Sequence, residues 1–203
     1  MNTHSNTLDF YNKHAYDFIE QTLDVDMHTL YQPFINHLSN SDDSHILDIG
    51  CGSGRDAVYF ASLGYQVTAI DGSQQLIDWA KCHHDSDIDW QSCTFSDLVQ
   101  KNGPNKFSGI WACASLLHVP FTELSTLINT LLAMLEKGGV FYISFKYGNH
   151  ERFDNGRFFC DMNERRWQFI KQKLNYNFSD TIWLTEDQRI DKTKTWFNIL
   201  IKR

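Results

Sequence analysis

The chain of 203 residues has little positive charge: 18 Lys and Arg stand against 25 Asp and Glu, for a formal net charge of −7. A sequence-independent grip on DNA or RNA needs a basic surface, so this balance disfavours a nucleic-acid partner. Arg152, Arg157, Arg165 and Arg166 are near enough in sequence to form a local basic cluster, which makes the balance a bias rather than an exclusion. Cysteine is scarce and odd in number; five without metal-type spacing suit reduced thiols in a cytosol better than a disulfide scaffold. His83, His84 and Asp85 are neighbours at the end of a helical pattern and point in different directions, so no metal site is expected. Apolar runs are short: Ile110 to Leu117 is far below the ~20 residues that cross a bilayer, and Met1 to Phe10 carries no signal-peptide core. These absences give a cytoplasmic expectation with no membrane contact. Repeats, low-complexity tracts and linkers are also missing, so one domain over 1–203 is expected, long enough to bury a proper core.

What is present is concentrated between Ile46 and Asp71. Ile46-Leu47-Asp48-Ile49 reads as a strand, Gly50-Cys51-Gly52-Ser53-Gly54 as a glycine turn, the stretch to Leu63 as a helix closed by Gly64, and Gln66 to Ile70 as a second strand ending on Asp71. This layout holds an adenosine-containing cofactor: glycines bring backbone close to the ligand, and an acid after the second strand accepts from ribose hydroxyls. A dinucleotide fingerprint would place a third glycine where Arg55 stands, and no Gly-Lys-Ser/Thr follows to make a phosphate loop. Arg55 suits a carboxylate, and Asp48 is placed to orient the loop or to accept from an ammonium group. Adenosine, ammonium and carboxylate together describe S-adenosylmethionine.

The run Asp48 to Asp56, followed by Asp71-Gly72-Ser73, resembles class I S-adenosylmethionine-dependent methyltransferases. Within them it is most similar to a small bacterial branch of tellurite-resistance and thiopurine-methyltransferase-like proteins. The likeness continues in Trp111 to Pro120, Ser144 to Gly148, Thr185-Glu186-Asp187 and Trp196 to Leu200. It implies an α/β, doubly wound, Rossmann-like sheet of seven strands, mostly parallel, with an antiparallel last strand.

The remaining pattern agrees with strands alternating with helices. Residues 8–38 carry helical spacing with aromatics, read as one or two helices that form a lid over about 8–40. Further strands are expected at Trp90–Phe95, Phe107–Ala114 and Val140–Phe145, with a terminal pair at Thr181–Thr185 and Lys194–Ile201. Helices are expected after Ser73, over Thr122–Glu136 and over Met162–Leu174, with a turn at Lys101–Asn105.

Ligands in such a sheet sit beyond the carboxyl ends of the strands. The cofactor-binding candidates are therefore Asp48, Gly50, Cys51, Gly52, Gly54 and Arg55 after the first strand and Asp71, Gly72 and Ser73 after the second. Phe95, Ser96 and Asp97 follow the third strand, with Asp97 as an adenine acceptor or a helix cap; Ala114 and Ser115 follow the fourth. Three residues are candidates for catalysis: His118 as a base or a structural histidine, Tyr16 from the aromatic lid of Tyr11, Tyr16 and Tyr31, and Lys146 at the head of a polar loop, 146–156. Cations in that loop suit an anionic substrate; Asp187 and Arg189, before the last strand, are candidates for the same pocket that the sequence does not place. A small-molecule acceptor is the expectation; a macromolecular acceptor or a non-catalytic cofactor-binding module are the alternatives.

Overall fold

The computed structural model describes residues 3–38, 44–84, 87–100, 107–187, 189 and 194–203. A polar link is expected at Ser39–Ser44, of which residues 39–43 lie outside the described residues, as do the turn at Lys101–Asn105 and Asp85. Apolar alternation on each strand lets the central sheet bury both faces. In β1 (His45–Ile49), Ile46 joins one core while Leu47 and Ile49 join the other; Trp111 and Tyr142 face the first core, and Ile110, Phe141 and Ile143 the second. The remaining parallel strands are β2 (Gln66–Asp71), β3 (Asp89–Ser92), β4 (Phe107–Ala112) and β5 (Leu135–Lys146). Two short hairpin strands, β6 (Glu151–Asp154) and β7 (Arg157–Cys160), follow β5, and then come β8 (Ser179–Glu186) and β9 (Thr195–Lys202). The sheet order is β3-β2-β1-β4-β5-β9-β8, with β9 antiparallel to both neighbours. The direction of winding reverses between β1 and β4.

Helices α1 (Thr3–Lys13), α2 (Ala15–Thr22) and α3 (His28–Ile35) precede the sheet, so the one or two helices expected there are three. Helix α4 (Arg55–Ser62) and α5 (Gln74–His83) follow β1 and β2; with α3 they cover one face through Phe34, Phe60 and Ile77. Ser73 caps α5, its Oγ accepting from Leu76 N at 3.4 Å. Helices α6 (Phe95–Gln100), α7 (Phe121–Met134) and α8 (Glu164–Lys171) belong to the connections on the other face, where Leu98, Leu131 and Trp167 are buried.

Four boundaries differ from expectation for physical reasons. The third strand ends at Ser92 rather than Phe95, because Thr94 and Asp97 start α6. Thr94 N donates to Asp97 Oδ2 at 2.9 Å and Asp97 N to Thr94 Oγ1 at 3.2 Å, a reciprocal capping box. The fourth strand ends at Ala112, since Ala114 takes a left-handed φ of 52°. The fifth strand begins at Leu135, so Lys137-Gly138-Gly139 does not stop a helix. Phe107 opposes Leu135 while Gly109 opposes Val140, and residues 136–139 bulge out of the ladder. The polar loop after β5 is largely a hairpin of β6 (Glu151–Asp154) and β7 (Arg157–Cys160). Its two-residue turn is Asn155-Gly156, with φ of 48° and 81°, the left-handed pair that suits strand twist.

Candidate active site

A cavity of about 400 Å³ opens across the carboxyl ends of the strands, from Asp71 on β2 to Thr185 on β8. Five inter-strand steps of about 4.8 Å make that span about 24 Å, long enough for two ligands end to end. The volume lies within the range of small-molecule and cofactor sites.

At one end the walls are mostly backbone. Gly50 N and Cys51 N donate to Ile70 O at 2.8 and 3.0 Å, stitching the glycine turn to the tip of β2. Gly50 and Gly52 hold φ of 70° and 57°; a Cβ on Gly50 would collide with Ser115, and one on Gly52 would meet Phe18 at 3.1 Å. Asp71 receives Gly52 N on Oδ2 at 3.0 Å and Ser73 N on Oδ1 at 2.8 Å. Burial raises its carboxyl above the usual range, and these two backbone donors oppose the rise. Its spare lone pairs belong to the cavity it lines. Across the switch point, Ala114 N donates to Ser144 Oγ at 2.8 Å, which holds the strained turn after β4, and Ser115 presents a buried Oγ with no partner.

The opposite end is built of side chains. Lys146 Nζ lies 4.0 Å from the centroid of the Phe159 ring, and the Arg157 guanidinium 5.2 Å from it. Burial, then Arg152, Arg157 and Arg189, pushes the Lys146 ammonium down to about 8. Arg189 closes on Asp187 through Nε at 2.9 Å and Nη2 at 2.5 Å. Burial alone would raise Asp187; its bonds to Arg189 outweigh burial and hold it below the usual carboxylate range. Arg152 pairs with Asp161 just behind this wall. Trp196 and Asn198 reach the same end because β9 runs antiparallel, pairing Trp196 with Lys146 and Asn198 with Ser144.

Helices α1 and α2 roof the cavity. Phe18 faces Gly52, Phe158 N donates to Thr7 Oγ1 at 3.0 Å, and Ser73 Oγ donates to Asn12 Oδ1 at 2.8 Å. Tyr11 Oη lies 2.9 Å from His118 Nε2, whose Nδ1 is 2.6 Å from Phe158 O. Burial pushes the His118 imidazole down to about 4, with Arg157 and Lys146 adding to the effect. The hub that binds roof to floor is Asp56, which sequence reading missed as a site residue. Its carboxylate accepts from Tyr31 Oη at 2.7 Å, Trp111 Nε1 at 2.8 Å and Arg55 Nε at 2.6 Å. Burial opposes that charge, but Arg55 outweighs burial and keeps the carboxyl below its ordinary value.

Of the residues singled out from sequence, Gly50, Cys51, Gly52, Arg55, Asp71, Gly72, Phe95, Ser96, Ala114, Ser115, His118 and Lys146 line the cavity. Five do not. Tyr16 is 73% exposed on the outer side of α2, and Tyr11 takes the position facing the site. Asp97 is occupied in the capping box. Ser73 is a helix cap tied to Asn12, and Gly54 packs on Trp90 and His84. Asp48 lies beneath the glycine turn at 2% exposure, one carboxyl oxygen without a partner; burial, and then the charge of Asp56, raise it well above the usual range. Arg55 also departs from its expected role: its guanidinium is spent on Asp56 and, through Nη1, on Thr22 O at 2.9 Å.

Strand order, glycine turn and cavity together decide the architecture. The fold is that of a class I methyltransferase. Residues 46–139 match the methyltransferase domain family. Among curated proteins, the ubiquinone biosynthesis O-methyltransferase of Xanthomonas campestris is 31% identical over 104 residues, half of this chain and 42% of the relative. That of Coxiella burnetii is 33% identical over 103 residues. The chain thus spans under half the length of these relatives. Among solved structures, 1,6-didemethyltoxoflavin-N1-methyltransferase of Burkholderia thailandensis, bound to 1,6-didemethyltoxoflavin and S-adenosylhomocysteine, aligns with a TM-score of 0.78. It is 19% identical and covers 100% of this chain and 91% of its own. The N-methyltransferase NodS of Bradyrhizobium japonicum, with S-adenosylhomocysteine, gives a TM-score of 0.70 at 18% identity, covering 98% of both chains. At those identities the likeness extends to the methyltransferase fold alone.

Proposed function

We propose that this chain is an S-adenosylmethionine-dependent methyltransferase acting on a small-molecule acceptor. The observation that carries the reading is the backbone cradle of Gly50 to Gly52 beside the half-buried, ligand-facing Asp71, at the point where strand order reverses. The residues present fit the cofactor. Asp71 keeps lone pairs for a ribose diol, Ser115 Oγ is a buried hydroxyl in want of a partner, and glycine at 50 and 52 lets Ser115 and Phe18 close on the turn, where a Cβ would collide with the first and crowd the second. Phe95 and Ser96 flank the cavity beyond Asp71, where an adenine would lie. When bound, the cofactor supplies a methyl group activated by a sulfonium; the protein aligns the acceptor and excludes water. The names of the ubiquinone O-methyltransferases and the toxoflavin N-methyltransferase support a small acceptor.

The acceptor in this reading is an anion. Lys146 and Arg157 rest on the Phe159 ring, and among the described residues neither forms an ion pair with a carboxylate. The nearby acids are Asp154, Glu186 and Asp187, and Asp187 is taken by Arg189. Placement in the tellurite-resistance and thiopurine-methyltransferase-like branch rests on the motif resemblance alone. No helix among the described residues is long and apolar enough to cross a membrane, and a cytoplasmic location remains part of the proposal.

Parallel calorimetric titrations with S-adenosylmethionine, S-adenosylhomocysteine and NAD test the reading. Micromolar binding of the first two and none of the third is expected; a folded protein that binds none of them refutes it.

A further inference from the structure

The hydrogen-bond chain from Phe158 through His118 to Tyr11 has a direction that its chemistry fixes. The Phe158 carbonyl only accepts, so His118 Nδ1, 2.6 Å away, carries the proton. The depressed basicity of this imidazole agrees with a single proton at neutral pH. Nε2 is then a lone pair, and the Tyr11 hydroxyl at 2.9 Å must donate to it. A phenol has one proton. With that proton committed to His118, the Tyr11 oxygen offers the cavity only lone pairs. The Arg157 guanidinium stands over the Tyr11 and Phe10 rings, at 5.9 and 4.5 Å from their centroids. Its charge and a hydrogen bond to the phenol oxygen oppose the rise in proton affinity that burial causes, while the charge of Asp71 adds to the rise; one lone pair of Tyr11 is shared with Arg157 and the other is left for the cavity. Lys146 and Arg189 complete the charged surroundings.

We propose that Tyr11, oriented by His118, accepts the proton of the methyl acceptor, so that this site methylates a protic O–H or N–H nucleophile rather than a sulfur or metalloid anion. The inference rests on the methyltransferase reading above and names the acceptor class of that same cavity. In the step, the acceptor X–H proton passes to Tyr11 Oη while the Tyr11 proton passes to His118 Nε2. The X–C bond forms as the sulfur–methyl bond breaks, and the electron pair of the broken bond stays on sulfur. The positive charge thereby moves from sulfonium to imidazolium, which keeps its Nδ1–H bond to the Phe158 carbonyl and loses the extra proton to solvent when the products leave. A thiolate or metalloid anion is already deprotonated and has no use for a lone pair on Tyr11. Tyr11 is the catalytic residue of this pair, and His118 the residue that positions and polarises it.

Two probes that differ only at the nucleophile provide the test: 4-hydroxybenzoate and 4-mercaptobenzoate, each with a carboxylate for Lys146 and Arg157. General acid–base groups contribute about 10²–10⁴-fold, so Tyr11→Phe is expected to lower the ratio of phenol to thiol methylation by about 100-fold or more. Nitrogen-15 NMR of histidine-labelled protein gives a readout without turnover, and a neutral His118 protonated on Nδ1 at pH 7 is expected. The proposal is overturned by a proton on Nε2, by an unchanged phenol-to-thiol ratio, or by methylation of the thiol alone. A protein that binds S-adenosylhomocysteine yet methylates neither probe overturns it as well. Loss of S-adenosylhomocysteine binding in the unmodified protein would instead sink the methyltransferase reading, whatever the tautomer of His118.

Discussion

The two ends of the cavity are made differently. At the β1–β2 end the ligand-facing surface is mostly backbone with the Asp71 carboxylate, held by bonds within residues 50–73: Gly50 and Cys51 to Ile70, Gly52 and Ser73 to Asp71. At the β5–β9 end it is side chain, drawn from helix α1, the 3-10 turn at His118, strand β5, the β6–β7 hairpin and the β8–β9 connection. A backbone wall fits a ligand whose shape does not vary, whereas a side-chain wall can be rewritten by substitution without disturbing the sheet. In the proposed function, the division between a fixed donor and a changeable acceptor is thus carried in the construction of the walls.

The largest expected effect comes from removing the buried carboxylate that ties helices α3 and α4 to β4 beside the glycine turn. Asp56→Ala would leave the Arg55 guanidinium without its carboxylate and Tyr31 and Trp111 without their acceptor, so a loss of about 3–5 kcal/mol is expected in denaturant unfolding. The same carboxylate sets an acid limb. Its folded-state pKa is depressed, so the unfolded chain binds more protons as pH falls. Its contribution is fully present above the unfolded value and lost as pH falls through the lowered folded value. A melting temperature that does not drop in acid more steeply for the parent than for the Asp56 variant would contradict this.

A smaller effect, confined to the donor end, is expected from Asp71→Ala. It should weaken S-adenosylhomocysteine binding by about 1–3 kcal/mol in calorimetry, and unchanged affinity would remove Asp71 from the site. The acceptor end has its own signature. Lys146 is charged below about pH 8 and neutral above it, so affinity for 4-hydroxybenzoate should fall through that pH while S-adenosylhomocysteine affinity stays level. Lys146→Met should remove the pH dependence and cost about tenfold in affinity for this anion. A flat profile in the parent would place the anion elsewhere. The mildest expectation is for Ser144→Ala, which frees the strained Ala114 turn from its acceptor; about 1 kcal/mol should appear in unfolding. A neutral result would mean the turn holds without the hydroxyl.

The same division explains what could be read in the sequence. The glycine turn and Asp71 were legible because the chemistry is written in 26 contiguous residues, 46–71. Strand alternation gave the order of elements for the same reason. Among the lid aromatics Tyr11, Tyr16 and Tyr31, the catalytic candidate from sequence is Tyr16 and the residue facing the site is Tyr11, although a signal was present: Tyr11, Ala15 and Phe18 fall at i, i+4 and i+7 and pack in one small cluster with Ile19 and Leu76, off whose face Tyr16 lies. Asn155-Gly156 is a hairpin signal and Thr94-x-x-Asp97 a capping signal, and both outweighed the loop and ligand roles expected there. Asp56 had no local signal, since Tyr31 is 25 and Trp111 is 55 residues away. The convergence of Lys146, Arg157 and Arg189 is likewise a product of the antiparallel last strand and the hairpin.

The roof carries a kinetic consequence. Helix α1 is fastened at Thr7, Tyr11 and Asn12, and Tyr11 is also one end of the hydrogen bond to His118. Were α1 to swing away from the cavity, that bond would break with it. The fastening of the roof and the proton path proposed above are one contact, so the relay would be complete only with α1 seated.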